Sequence, residues 1–100
     1  MEFLRSKEKQ YSVLTVKGDI RTSEAPALKD AIATELSQNS HLIIDFSNVE
    51  YICSAGLRAL LAGQQMVDDM NDAELQIRKV NNEVMSVFRA TGFVNVFTIK

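Results

Sequence analysis

Leu42-Ile43-Ile44-Asp45-Phe46-Ser47-Asn48-Val49-Glu50-Tyr51-Ile52-Cys53-Ser54-Ala55-Gly56-Leu57-Arg58-Ala59-Leu60-Leu61 changes its hydrophobic period part-way along. From His41 to Phe46 it is a short, dense apolar run centred on Leu42, Ile43 and Ile44. Such a run suits a central strand covered on both faces. It ends at Asp45-Phe46-Ser47-Asn48, and a loop holding Val49 and Tyr51 follows. From near Ser54 the apolar residues take up helical spacing, with Leu57, Leu60, Leu61, Val67 and Met70 on one side.

The same alternation extends outward. Upstream, Gln10 to Lys17 reads as a strand, with Leu14 and Val16 on one face and Tyr11, Val13 and Thr15 on the other. Gly18-Asp19 ends it. Ser23 is placed to cap a first helix, Pro26 falls in its first turn, and Leu28, Ile32 and Leu36 recur every four residues as its buried stripe. Downstream, Asn71-Asp72 is a turn, and Leu75 and Ile77 alternate with Gln76 and Arg78 as a strand. Asn82 is a candidate cap for a third helix carrying Val84, Val87 and Phe88 on one face. Gly92 followed by Phe93 resembles a left-handed helix stop. A short strand is expected over Val96 to Ile99. Strands alternating with helices predict an α/β fold. The sheet should be mostly parallel, of about four strands, with its first strand the one place for an exception and the helices packed against it.

Length and composition bound the function. One hundred residues is enough for one domain over 1–100, and nothing in the Gly or Pro usage marks a boundary. No apolar run approaches the ~18 residues of a membrane span. The start of the chain is charged and has no apolar signal core, and Cys53 is the single cysteine, so a cytoplasmic protein is expected. A net charge of −2 with scattered Lys and Arg gives no footprint for nucleic acid. One His and one Cys do not make a standard zinc site, and no Gly-rich phosphate motif is present, so no cofactor or metal is expected.

Ile52-Cys53-Ser54-Ala55-Gly56-Leu57 concentrates the candidate chemistry. Small residues at the start of a helix leave backbone N–H groups free where positive partial charge accumulates, and a phosphate on Ser54 would be favourably placed there. The same geometry is also explained if Ser54 is only an N-cap. The segment is one glycine short of a hydrolase nucleophile elbow, with Ile52 in the first Gly position. The only His, His41, precedes the Ser, whereas in the elbow enzymes it follows. Cys53 reads either as a thiol activated by the helix start or, as is more common, a small packed hydrophobe. Asp68-Asp69 with Asp72 and Glu74 reads as a solvated acidic turn without calcium-loop spacing.

The opening segment resembles the STAS domain, the fold of bacterial anti-sigma factor antagonists and of sulfate-transporter tails. Its pattern is an apolar strand, Asp-x-Ser, a short loop, then Asp/Ser-Ser-x-Gly-Leu and a Leu-rich helix. The resemblance spans the chain: Val16-Lys17-Gly18-Asp19-Ile20 matches the first strand and Gly turn, Thr22 to Leu28 the first helix start, and Phe88 to Phe93 the closing helix and Gly. It implies a regulatory protein, not an enzyme, that docks a serine-kinase anti-sigma factor and lets go when phosphorylated at the position of Ser54. A serine phosphatase would be a second partner, and the chain would be a monomer or weak dimer. The implied docking surface is Arg21, Thr22, Ser23, Cys53, Ser54, Ala55, Gly56 and Arg58. Cys53 and Arg21 stand where the family often has Asp, which removes acidic charge from that surface. The competing expectation is an accessory subunit of a transporter or signalling complex in which Ser54 is never modified.

Overall fold

The elements of the computed structural model, which describes all residues from Met1 to Lys100, follow the expected alternation after one added strand. β1 (Glu2–Glu8) and β2 (Tyr11–Lys17) form a hairpin. A 3-10 turn (Thr22–Glu24) leads into α1 (Ala25–Gln38), then β3 (His41–Asn48), α2 (Ser54–Asp68), β4 (Glu74–Arg78) and α3 (Asn82–Thr91). A second 3-10 turn (Phe93–Asn95) precedes β5 (Thr98–Ile99). The fold is α/β with a mostly parallel sheet, as expected, in the order β1-β2-β3-β4-β5. The sheet has five strands rather than about four, and the antiparallel member is β1.

β1 has no apolar signature because it is an edge strand. Of Glu2-Phe3-Leu4-Arg5-Ser6-Lys7-Glu8 only Phe3 is even half-buried. The strand is fixed by its full register against β2, through a tight turn in which Lys9 takes a left-handed φ of 58°. It is also held by an ion pair of 2.6 Å from Arg5 Nε to the buried Glu35 of α1.

All three helices lie on one face of the sheet, so the expectation that the central strand is covered on both faces is corrected. The order from β2 to β5 advances one strand at a time in the same direction. Right-handed crossovers that all advance the same way place their helices on the same side. Leu42, Ile44 and Phe46 of β3 join Leu14 and Val16 of β2 and Leu75 and Ile77 of β4 in a core with Leu28 and Ile32 of α1, Leu57 and Leu60 of α2, and Val84 and Phe88 of α3. The opposite face has no helix. There Tyr11 donates to Glu74 at 2.7 Å and accepts from Gln76 at 3.2 Å, and Arg78 bonds both Asp45 and Glu8. Val13 and Ile43 remain buried beneath this polar layer, and that is why both strands look apolar on two sides in the sequence.

Several boundaries shift by one or two residues. Ser23 does not cap α1: it lies in the 3-10 turn and its hydroxyl donates to Glu24 at 2.7 Å. Pro26 falls in the first turn of α1 as expected. α3 is capped by Asn81, not Asn82, its side-chain oxygen accepting from Val84 N–H at 2.8 Å. Gly92 ends α3 in the left-handed conformation at φ 81°. Met70 lies beyond the end of α2 and is exposed, and β5 is confined to Thr98–Ile99.

Candidate functional site

The loops that leave β2 and β3 meet at the carboxyl ends of the two parallel strands. Ile20 N–H donates to Tyr51 O at 2.8 Å, and Cys53 N–H donates to Ile20 O at 2.9 Å, so the loops are joined by their backbones. Asp45 lies three residues before the end of β3, where the register against β2 shifts between Thr15 and Lys17. Its Oδ1 accepts from Ser47 N–H at 2.8 Å and its Oδ2 from Arg78 Nε at 3.2 Å. Burial acts to raise the Asp45 pKa, but the Ser47 hydrogen bonds and the Arg78 and Lys79 cations outweigh it and hold the carboxyl below its ordinary value.

α2 starts from this seam. Its N-cap is Cys53, in an extended conformation, and Ser54 is its first residue; the reading of Ser54 as merely the cap is corrected. The first intrahelical bond runs from Leu57 N–H to Cys53 O at 3.0 Å, which leaves the N–H groups of Ser54, Ala55 and Gly56 outside the helical ladder. Gly56 is buried, and a Cβ there would lie 2.6 Å from Ile20 Cγ2 and 2.7 Å from Ile52 Cγ1. Glycine at that position therefore lets α2 begin directly against the joined loops, with Ser54 facing outward and exposed.

Cys53 is half-buried, with its sulfur 3.8 Å from Thr22 Oγ1. It makes no side-chain capping hydrogen bond of ordinary geometry. Desolvation acts to raise its pKa, but the Gly56 N–H, the Thr22 hydroxyl and the Ala55 N–H favour the thiolate and bring it below the ordinary thiol value. Cys53 thus combines the two expected characters: it packs at the seam, and its thiol is acidified.

Most of the expected surface assembles. Arg21, Thr22, Ser23, Ser54 and Arg58 are exposed or only partly covered, and Cys53 and Ala55 are half-buried. Gly56 is the exception, because it supports the surface from beneath. Arg21 bonds Asp19 at 3.3 Å and sits 5.7 Å from the centre of the Tyr51 ring. Beside Ser54, a groove of about 410 Å³ opens between α1 and α2, and into it come Thr22, Ala55 and Arg58 together with Ala25, Lys29 and Ala59. The α1 residues of this groove escape sequence reading because Ala25 extends, and Lys29 flanks, the buried stripe of that helix, and the groove forms only where α2 packs beside them. His41 stands at the first residue of β3 and Ser54 lies past its last, so roughly 20 Å of strand at ~3.3 Å per residue separates them. The two cannot act as a nucleophile and its base. No group of three or more His, Cys, Asp or Glu is arranged to hold a metal ion, and no helix is long and apolar enough to cross a membrane.

A family described as "Mlab, STAS domain" matches residues 3–98. The chain belongs to the STAS family. BtrV of Bordetella bronchiseptica, assigned as an anti-sigma factor antagonist, is 24% identical over 88 residues, which cover 87% of this chain and 75% of BtrV. The crystal structure of an anti-sigma factor antagonist from Mycobacterium paratuberculosis superposes with a TM-score of 0.87 at 26% identity, covering 98% of this STAS chain and 83% of that one. A sulfate transporter family protein from Wolinella succinogenes shares the fold at a TM-score of 0.75 and 17% identity, over 88% of this chain and 71% of that one. The STAS fold here is thus of the anti-sigma factor antagonist type, and it is shared with a transporter-family protein.

Proposed function

We propose that this STAS chain is a cytoplasmic regulatory binding protein of the anti-sigma factor antagonist type, and not an enzyme. It docks a serine-kinase anti-sigma factor through the surface around Ser54 and is released when that kinase phosphorylates Ser54. A serine phosphatase resets it. The observation that carries this reading is the position of Ser54, exposed at the first residue of α2, with the capping position already taken by Cys53. A phosphate adds about −1.5 to −2 charges and three acceptor oxygens. At a helix start those charges are favourable by roughly 0.3–1 kcal/mol, so the fold tolerates the modification. A partner packed against a neutral serine does not, because the phosphate must be desolvated or repelled on docking.

The experiment is recovery of the partner on the tagged chain from its native host, identification by mass spectrometry, and incubation of the purified pair with ATP. Phosphate appearing on Ser54, and none on Ser54→Ala, is the expected result. A partner that is a membrane-transport subunit, with no phosphate transferred, would instead favour the accessory-subunit reading, which the likeness to the Wolinella succinogenes protein supports at the level of fold.

A further inference from the structure

We infer that the groove between α1 and α2 receives a carboxylate-bearing segment of the partner protein, so that this docking surface is read by acidic rather than basic groups. The inference rests on the proposal that the surface around Ser54 is a protein-docking site, and it specifies the chemistry of the partner there. The groove floor is apolar, with Ala25 and Ala59 nearly fully buried and Ala55 half-buried. Its two charged lining residues are Lys29 from α1 and Arg58 from α2, both exposed. Neither takes part in an ion pair, which is also true of Lys7, Lys9, Lys17, Arg89 and Lys100; what sets Lys29 and Arg58 apart is that they flank one apolar slot. No acidic residue lines the groove, although the chain as a whole carries a net charge of −2.

Two unpaired cations over an apolar slot complement a segment that presents a small apolar side chain between two carboxylates. A segment with Lys or Arg at those places would meet like charge, which docking surfaces exclude. The net negative charge disfavours an anionic membrane as the occupant, since two basic residues supply little of the attraction a surface-bound protein needs. A second copy could offer Met70, exposed between Asp69 and Asp72. That contact joins the far end of α2 in one molecule to the near end in the next. It is head-to-tail and does not close into a dimer.

The probes are two synthetic helical peptides of identical apolar face, one with Glu and one with Lys flanking that face. Binding is followed on the isotope-labelled full chain by NMR. The Glu peptide is expected to bind at least tenfold more tightly and to shift the amide signals of Ala25, Lys29, Ala55 and Arg58. The exposed double variant Lys29→Glu/Arg58→Glu should keep its melting temperature and reverse the preference, and Lys29→Arg/Arg58→Lys should preserve it. Equal binding of the two peptides, or shifts lying elsewhere on the fold, would overturn the inference. So would self-association of the wild type that Arg58→Glu abolishes, or binding to anionic vesicles in place of peptide. Ser54→Ala should leave the peptide preference intact, so failure of the phosphorylation reading and failure of this one are separately visible.

Discussion

Ser54, Cys53 and Asp45 do different work around one seam. Asp45 holds the irregular last part of β3, which carries the chain to the site. Its pKa is lowered in the folded state, where burial is outweighed by Ser47, Arg78 and Lys79. The folded protein therefore holds fewer protons at this group than the unfolded chain does at pH values near and below the ordinary ~3.9. The contribution of Asp45 is fully present above that value and is lost as pH falls through the folded pKa. Glu24 and Glu74 are lowered as well and share this acid limb. Asp45→Asn should cost about 1–3 kcal/mol at neutral pH and flatten the fall in stability between neutral and strongly acidic pH. Chemical denaturation from strongly acidic to neutral pH measures it; an unchanged slope would mean that Asp45 does not hold the end of β3 as a carboxylate.

Cys53 gives a second test at this scale. Its thiol should alkylate with a pH midpoint below the ordinary ~8.5, and Thr22→Val should raise that midpoint. A wild-type midpoint at or above the ordinary value contradicts the hydrogen bonding described at the seam. The place of Ser54 at the start of α2 was legible in the sequence, because the small-residue cluster and the onset of helical apolar spacing are local. The identity of the cap was not, because Cys53 and Ser54 are adjacent and only the backbone conformation of Cys53 decides between them. Acidification of the thiol by the helix start was legible as one of two readings of Cys53, but the share of Thr22 was hidden, since it lies 31 positions away in the chain.

At the level of the elements, α2 is the one whose position decides the site. Gly56 permits its close approach to Ile20 and Ile52, both β-branched and both nearly inaccessible to solvent. Gly56→Ala gains up to ~1 kcal/mol of helix propensity. It forces a Cβ into atoms that cannot rotate aside, which costs about 1–3 kcal/mol. The net expectation is a lower melting temperature together with disturbed signals from Ile20, Ile52 and Ser54. At about 4–8 °C per kcal/mol for a domain of this size, a loss of several degrees is measurable. Gly92→Asn is the control, since a Cβ on residue 92 would meet no atom within 4 Å and Asn tolerates the left-handed region. A Gly56→Ala protein as stable as wild type would mean that α2 is not pinned at its start.

The elements themselves show which patterns a sequence carries. β3, α1 and α2 were legible because each buries a periodic apolar face against the core. β1 was not, because six of its seven residues are exposed and its place is set by hairpin pairing and by Arg5 reaching Glu35, a long-range ion pair that leaves no periodic trace. The two-sided apolar look of β3 misled for the opposite reason: Ile43, like Val13 of β2, is buried beneath polar side chains of its own sheet face rather than beneath helices.

For the whole molecule, the one-sided sheet gathers the β2 and β3 exits, the start of α2 and the α1–α2 groove at one end. The parallel α/β alternation and the STAS resemblance were readable from the chain. The groove was not, because it depends on how two helices meet. If Ser54 is the switch, this end is a surface whose chemistry changes without the fold changing, and the paired measurement of partner affinity and thermal stability tests that most directly. The identified partner would be titrated against the unmodified chain and against the chain quantitatively phosphorylated on Ser54, and both forms melted in the same buffer. The prediction is a loss of affinity of at least a hundredfold with melting temperatures within a few degrees of each other. Equal affinities, or a loss of affinity matched by collapse of the melting temperature, would contradict it.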